Sequence, residues 1–283
     1  MLASIVLSLT TEDDCDVPEH VGRAAHAILL ETVRSRAPEL AAQLHEDASA
    51  KPFTASSLLD GPTPSGAIRH LHGGQIYRLR FTSLSAPLTE VLLSAFGRPP
   101  AELSLDDTRM KVVSTASDST QDPLAGTASY RDLASTHLVQ NMPVPGKIAL
   151  EFLSPTTFRS AGRNVPLPLP ELVFGSLLDR WNAFSPVHLD GELRRFAHER
   201  LAVSRYQLRT ELVSVGGGKQ VGFRGWCEYT ALNRDAFWLR QVHLLASFAF
   251  YAGVGYKTTM GLGQTRRLTD ASALSRRAGR YAP

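Results

Sequence analysis

Cysteine is scarce in this chain, and long apolar runs are absent. The 283 residues include two cysteines, Cys15 and Cys227, and neither belongs to a CxxC motif or a Cys/His cluster. The sequence therefore indicates neither a zinc site nor a disulfide framework, and it fits a reducing, cytoplasmic compartment. No segment approaches the roughly 20 apolar residues that span a membrane. The short run Leu2 to Leu9 leads into acids, so it predicts a strand and not a signal peptide.

Lysine is also scarce, so the basic charge is mostly arginine. Of 30 basic residues five are lysine, and with 27 acidic residues the net charge is +3. Arginine suits bidentate phosphate contacts and stacking on bases, but it is also frequent in chains from GC-rich genomes. The last thirty residues carry six basic side chains and one acid, Asp270. The C-terminal end therefore has the charge pattern of a nucleic-acid contact surface.

A glycine-rich segment, residues 253–263, follows a long apolar run. Four glycines stand among Lys257, Thr258 and Thr259. Glycine permits positive φ and close approach of backbone N–H groups to a ligand, and such loops bind phosphates. The spacing matches neither the P-loop nor the dinucleotide fingerprint, so a nucleotide-binding protein is the weaker alternative. An RNA-backbone clamp and a sharp helix-to-strand turn both stay open on these residues.

Hydrophobic periodicity predicts the same order of strands and helices in both halves of the chain. In the first half we predict strands over 2–9 and 75–81, a strand or strand pair over 102–115, and helices over 19–36, 38–45 and 87–96, with a polar loop before the first helix. In the second half we predict strands over 147–152 and 264–268, a hairpin over 203–231 that turns at Gly216-Gly217-Gly218, helices over 171–184 and 237–251, and a frayed basic tail over 269–283. One more strand in the first half would complete a βαββαβ unit. The sequence thus predicts an α+β protein of two tandem ferredoxin-like (RRM-like) folds, with domains at 1–125 and 146–283.

Three segments in a fixed order resemble one known family. They are residues 37–54, with His45 before Lys51-Pro-Phe-Thr54; residues 152–182, from Phe152-Leu-Ser-Pro-Thr-Thr-Phe-Arg159 to Asp179-Arg-Trp-Asn182; and residues 249–263. The chain is similar to the CRISPR-associated endoribonucleases that cut repeat RNA into guide RNAs, members of the repeat-associated RNA-binding superfamily. The resemblance implies two ferredoxin-like folds with a central cleft and a C-terminal glycine-rich loop.

The resemblance also implies the reaction. A ribose 2′-OH attacks the adjacent phosphate without metal or cofactor, and the products carry a 2′,3′-cyclic phosphate and a 5′-OH. Such a reaction needs a base, an acid and a cation. A protein of the same fold that holds CRISPR RNA without cutting it is the alternative. CRISPR repeat RNA is the implied partner, and a homodimer and a hand-off of the product to a CRISPR interference complex are left open.

The implied catalytic residues are His26, His45 and Lys51. His45 and Lys51 match family positions, although on its own His45 would be explained as a helix C-terminal residue facing the dipole. His26 lies one helical turn before Leu30, where many family members carry tyrosine, so the tyrosine role is absent or moved. His20 is predicted to be exposed.

The implied RNA-binding residues come from the second and third segments. They are Arg159, Arg163, Gly253, Gly255, Tyr256, Lys257, Thr258, Thr259, Gly261, Gly263 and Arg266. For Arg159 and Arg163, each taken singly, a surface arginine without RNA contact is at least as good an explanation. His70 and His72 lie near two glycines in a predicted loop, and no further ligand is spaced for a metal, so they are predicted to be solvated.

Overall fold

The chain divides into two compact units. The structure is a computed structural model that describes residues 1–46, 50–60, 67–139, 143–215 and 217–269, with the backbone alone at Glu46. The first unit consists of Met1–Ala128 with two added segments, Val213–Gln220 and Lys257–Leu262. The second consists of Ser129–Leu212, Val221–Tyr256 and the residues from Gly263 onward. The domain limits 1–125 and 146–283 stay a prediction, and most of the predicted tail (270–283) and Gly216 of the predicted turn lie outside the described residues.

The first unit is built on one antiparallel sheet. Its elements are β1 (Leu2–Thr10), β2 (Cys15–Pro18), α1 (Gly22–Arg36), α2 (Pro38–Glu46), β3 (Phe53–Ala55), β4 (Ile68–Leu71), β5 (Tyr77–Ser83), α3 (Ala86–Gly97), β6 (Glu102–Leu105), β7 (Thr108–Ala116) and β8 (Gly126–Ala128). The sheet order is β3-β5-β1-β7-β6, and β8 also pairs with β1. Strands β3, β5, β1 and β7 have the order of a βαββαβ unit. This order confirms the predicted ferredoxin-like fold, and β3 is the missing strand.

The second unit repeats this topology. Its elements are α4 (Tyr130–Ala134), a π-helical turn (Ser135–Val139), β9 (Lys147–Thr156), β10 (Phe158–Ser160), β11 (Arg163–Val165), α5 (Pro170–Phe184), α6 (Leu193–Arg200), β12 (Leu201–Val215), β13 (Gly218–Ala231), α7 (Ala236–Ala252) and β14 (Thr265–Leu268). The sheet order is β12-β13-β9-β14. The order again corresponds to βαββαβ, so the fold prediction is confirmed in the second half as well.

The core of the first unit fixes the face of α1. Ala25, Leu29 and Val33 recur every four residues and are fully buried with the sheet residues of the same cluster. A spacing of four places side chains on one face of a helix. The backbone N–H of Val21 donates to the Ser57 hydroxyl at 3.1 Å, which anchors the start of the helix. His26 follows Ala25 and is therefore held at the edge of the buried face.

The structure corrects the predicted loop before α1. Residues Cys15–Pro18 form strand β2, which pairs antiparallel with β4 and places Asp16 opposite His70. His70 therefore lies in a strand and not in a loop. The helix begins at Gly22 and not at Glu19. Two four-residue strands that contain Asp, His and Arg lack the apolar alternation that would identify them.

None of the helices in the described ranges combines the length and the apolar composition that a membrane crossing requires.

Candidate active site in the first unit

His26 is held by the glycine-rich segment. Its Nδ1 lies 3.0 Å from the Thr259 carbonyl oxygen, and its ring lies 5.4 Å from that of Phe53 between centroids. A carbonyl oxygen only accepts hydrogen bonds, so Nδ1 carries the proton and donates it. In the neutral imidazole Nε2 then has a free lone pair. The contact therefore selects the tautomer of His26 that accepts a proton at Nε2.

The surroundings of His26 favour its neutral form. Burial lowers the pKa of His26, the hydrogen bond to Thr259 partly opposes this, and the positive charge of Lys51 lowers the pKa further. Desolvation and a nearby like charge both disfavour an imidazolium. The neutral form of His26 therefore predominates at pH 7.

Lys51 connects His26 to the end of α2. Its Nζ donates to the carbonyl oxygen of Leu44 at 2.6 Å, and its charge acts on His26. The side chain of Leu44 is buried, at 6% relative exposure, whereas the next residue, His45, is exposed on the last turn of the helix. Successive helical residues point about 100° apart, so burial of Leu44 turns His45 outward. The structure thus brings Lys51 to His26 and to the carbonyl that precedes His45.

Residues 257–262 of the glycine-rich segment pack within the first unit. The Met260 N–H donates to the Lys257 carbonyl and the Gly261 N–H to the Ala55 carbonyl, both at 2.9 Å. The Lys257 ammonium donates to the Val215 carbonyl at 2.8 Å, and Thr258 is buried. These donors hold the segment in place against its own unit. The group that the segment presents to the site is the Thr259 carbonyl.

Two glycines allow the segment to approach α1. Gly261 has φ +94°, and a Cβ there would lie 2.4 Å from Cε1 of His20. A Cβ on Gly22 would lie 2.2 Å from the Met260 carbonyl oxygen. Real Cβ atoms do not approach other atoms so closely, so only glycine fits at both positions. The small residues at both contacts let Thr259 reach the ring of His26.

His20 was predicted to be exposed, and this prediction is wrong. The residue lies between these two glycines, and burial lowers its pKa to about 4, with a further lowering from the charge of Arg69. The position of His20 just before α1 does not indicate its burial, because the residues that bury it, near Gly261, are distant in the chain.

The remaining residues predicted to bind RNA lie in the second unit. Gly253 (φ +64°) ends α7, and a Cβ on Gly255 would lie 2.4 Å from the Thr157 carbonyl oxygen. The Gly263 N–H donates to the Pro155 carbonyl at 3.0 Å. These three glycines therefore shape the chain where it leaves α7 and enters β14.

An aromatic ring and a guanidinium form one exposed pair in this unit. Tyr256 is 38% exposed, and the guanidinium carbon of Arg159 lies 5.7 Å from its ring centroid. Arg163 is exposed at the start of β11. Arg266 pairs instead with the buried carboxylate of Glu151, Nε to Oε2 at 2.7 Å. Arg159, Arg163 and Tyr256 are thus accessible, whereas Arg266 is part of an ion pair.

The geometry defines a class of protein. Its features are two ferredoxin-like units and a glycine-rich segment whose Thr259 carbonyl holds the ring of His26. Comparison with known proteins identifies the family within this class.

The family described as CRISPR-associated endoribonuclease Cas6 matches residues 150–265, and the Cas6 N-terminal domain matches residues 1–70. A solved Cas6 product complex is 32% identical with a TM-score of 0.77, over 95% of this chain and all of that one. Thermus thermophilus Cas6 is 29% identical with a TM-score of 0.72, over 95% and 98% of the two chains. The CRISPR-associated endoribonuclease Cas6 of Mycobacterium tuberculosis is 31% identical over 130 residues, 44% of this chain.

These matches establish the family. The chain belongs to the Cas6 family of CRISPR-associated endoribonucleases. The match to the curated Mycobacterium tuberculosis relative spans about 40% of that protein's length, whereas the match to the solved product complex spans that chain completely. The resemblance drawn from three sequence segments is therefore confirmed at the level of the family.

Proposed function

We propose that this chain cuts CRISPR repeat RNA without a metal ion. The 2′-oxygen upstream of the cut attacks phosphorus, the 5′-oxygen of the next nucleotide leaves, and the products end in a 2′,3′-cyclic phosphate and a 5′-OH. The observation that carries the proposal is the neutral His26, fixed by the Thr259 carbonyl and influenced by the charge of Lys51. Membership of an endoribonuclease family supports it.

His26 is the proposed general base. Its Nε2 lone pair takes the 2′-OH proton as the oxygen attacks, and its lowered pKa keeps that lone pair available near neutral pH. A base with a pKa close to or below the working pH is present in its active form. In this proposal His26, one helical turn before Leu30, takes the role that a tyrosine holds in many family members.

His45 is the proposed general acid, and Lys51 the proposed electrostatic stabiliser. The exposed imidazole of His45 is proposed to protonate the leaving 5′-oxygen. The positive charge of the Lys51 ammonium, which is positioned by its hydrogen bond to the Leu44 carbonyl, is proposed to stabilise the phosphorane oxygens. Pre-positioned cations stabilise charge that develops in the transition state.

The proposed RNA contacts in the second unit are the Tyr256 ring, as a stacking surface, and the Arg159 and Arg163 guanidinium groups, as phosphate contacts. An RNA phosphate would compete with the Glu151 carboxylate for Arg266. In the first unit Lys257, Thr258, Thr259 and Gly261 are proposed to support the site, and Gly253, Gly255 and Gly263 to shape the chain beside it.

Single-turnover cleavage of the host repeat RNA in EDTA tests the assignment of roles. His26→Ala, His45→Ala and Lys51→Ala should each lower the rate by about 10²–10⁴-fold, the usual contribution of one acid–base or electrostatic group. RNA affinity should change much less, since these groups act on the transition state. His198→Ala, at an exposed histidine of α6, is the matched control and should cleave at the wild-type rate.

Two results would contradict the roles. One is a His45→Ala or His26→Ala variant that cleaves at the wild-type rate. The other is a loss of cleavage that follows a loss of RNA binding of the same size, which would assign the residue to binding alone.

Three further properties stay predictions. A homodimer and a hand-off of the product to a CRISPR interference complex are open possibilities, and the cytoplasmic location is inferred from the scarcity of cysteine. Sedimentation of the chain with and without repeat RNA tests whether it forms a homodimer.

A further inference from the structure

Four exposed side chains gather at one end of the β2–β4 ladder. Asp16 and His70 are directly opposite one another in the two strands, while Asp14 precedes β2 and His72 follows β4. The His70 and His72 rings meet edge to face with centroids 4.9 Å apart. Strand pairing thus brings together residues that are more than fifty positions apart in the chain.

We propose that Asp14, His70 and His72 bind a first-row divalent cation, with zinc as the preferred ion. The ligand atoms would be one Asp14 carboxylate oxygen and one ring nitrogen from each histidine, and all three atoms lie within 4.8 Å of one another. Imidazole and carboxylate are ligands that zinc accepts, and three protein ligands leave one position for water. The proposal does not rest on the proposed cleavage reaction.

The distances between ligand atoms suit a tetrahedral ion. Asp14 Oδ2 lies 3.4 Å from His70 Nε2 and 3.3 Å from His72 Nδ1. Zinc bonds to nitrogen and oxygen of about 2.0–2.1 Å place neighbouring tetrahedral ligands about 3.3 Å apart. Two of the three edges of the ligand triangle therefore already have the length that the ion requires.

Asp16 would orient the ligand His70. Its Oδ1 lies 2.8 Å from His70 Nδ1, and a carboxylate only accepts, so Nδ1 carries the proton. The Nε2 lone pair then faces Asp14. A carboxylate behind a histidine ligand is the usual outer partner in metal sites, because it fixes the ring and its tautomer.

Asp14 is itself held in position. Its Oδ1 accepts from the Gly73 N–H at 2.8 Å, which leaves Oδ2 directed at both rings. With neutral imidazoles the four side chains carry two negative charges, and this charge favours a cation over a second carboxylate or a phosphate. A bound ion would tie the residue before β2 to the residue after β4.

Zinc titration of the tag-free full chain, after chelator treatment, tests the site. Calorimetry should show one ion per chain, and cobalt substituted for zinc should give the visible absorption of a tetrahedral ion. His70→Gln and His72→Gln should each weaken zinc binding at least about 10-fold, and Asp16→Asn about 10–100-fold, as loss of an outer partner does. His198→Gln is the control. His198 is exposed and lies 3.7 Å from the Glu171 carboxylate, but this pair contains one histidine and not two.

Two outcomes would overturn the proposal. One is no saturable zinc binding by the wild-type chain. The other is equal zinc affinity in the wild type and in the folded His70→Gln variant, which would leave the four residues as a hydrogen-bonded group of imidazoles and carboxylates. Cleavage of repeat RNA by the zinc-free wild type and by His70→Gln should be equal, because neither ring belongs to the proposed catalytic group, so failure of the metal site and failure of the nuclease are separable.

Discussion

His20 is a histidine that the fold keeps uncharged. Burial lowers its pKa from 6.5 to about 4. Between these two pH values the unfolded chain binds the proton more tightly than the folded chain does. Folding stability therefore decreases as the pH falls from about 6.5 to about 4, and the loss is complete below the lower value.

Replacement of His20 by glutamine should remove part of this acid sensitivity. A shift from 6.5 to about 4 corresponds to at most about 3–4 kcal/mol, at about 1.4 kcal/mol per pKa unit. Urea unfolding at pH 7 and pH 4.5 measures how much the free energy of unfolding of each protein falls between the two pH values. Because each protein is compared with itself, a lower stability of His20→Gln at pH 7 does not affect the comparison. His137, whose pKa burial also lowers to about 4, should supply some of the remaining loss.

The control for this prediction is His188→Gln, at an exposed histidine. Its stability should depend on pH as the wild type does. An equal acid loss in wild type, His188→Gln and His20→Gln would show that His20 is protonated without cost in the folded chain.

At the residue scale, the sequence predicted the residues of the proposed site but not their contacts. His45 and Lys51 were predicted from a short motif that carries both, and His26 from its place one helical turn before Leu30. The tie between His26 and Thr259 joins residues 233 positions apart, and no local pattern reports such a contact. The burial of His20 and the meeting of Asp14 with His70 were missed for the same reason, since chain topology and not spacing creates them.

The glycine-rich segment is the element on which the site depends. Its Lys257, Met260 and Gly261 donors bond within the first unit, and its Thr259 carbonyl holds His26. The segment was predicted to grip the RNA backbone, and that contact stays a prediction. What the geometry shows is a positioning element, which requires glycine where it passes α1.

A Gly261→Ala variant should destabilise the chain and slow cleavage. The added Cβ would lie 2.4 Å from Cε1 of His20 at φ +94°, so a steric clash of about 1–3 kcal/mol adds to about 1–2 kcal/mol of backbone strain. Displacement of the segment would also move Thr259 from His26. Denaturant unfolding and single-turnover cleavage measure the two effects.

Gly74→Ala is the matched control for Gly261→Ala. Gly74 has φ +75° in the same unit and no atom within 4 Å of the added Cβ, so it reports backbone strain alone, about 1–2 kcal/mol. Equal destabilisation by the two substitutions would show that close packing of the segment against His20 contributes nothing to the effect of Gly261→Ala.

Among the elements, length decided what the sequence predicted. The described helices of nine or more residues, such as α1 and α7, were located to within a few residues, whereas the eight-residue α6 was not predicted. The three residues of β3 and the four residues each of β2 and β4 are too short to show a period. Partner strands stabilise them, and the partner is known only once the sheet has formed.

The whole molecule has a small net charge of +3, so RNA binding depends on where the arginines lie. Repeat RNA affinity should fall linearly with the logarithm of salt concentration, as phosphate contacts release counterions. Arg159→Ala and Arg163→Ala should each reduce that slope by about 1. Fluorescence anisotropy at several salt concentrations measures the slope.

The control in the same unit is Arg195→Ala, at an exposed arginine of α6 that pairs with Glu192. Its salt slope should equal that of the wild type. A slope that is unchanged in Arg159→Ala and Arg163→Ala would place the phosphate contacts elsewhere on the molecule.

The most direct test of the central claim is cleavage of labelled host repeat RNA in EDTA, with and without a 2′-deoxy nucleotide immediately before the cut. We expect one cut, a product mass that corresponds to a 2′,3′-cyclic phosphate, and no cut in the deoxy RNA although it is bound with similar affinity. Tight binding with no cut of either RNA, with or without magnesium, would contradict the account and leave a protein that holds CRISPR RNA without cleaving it. Cleavage of the deoxy RNA would contradict attack by the 2′-oxygen.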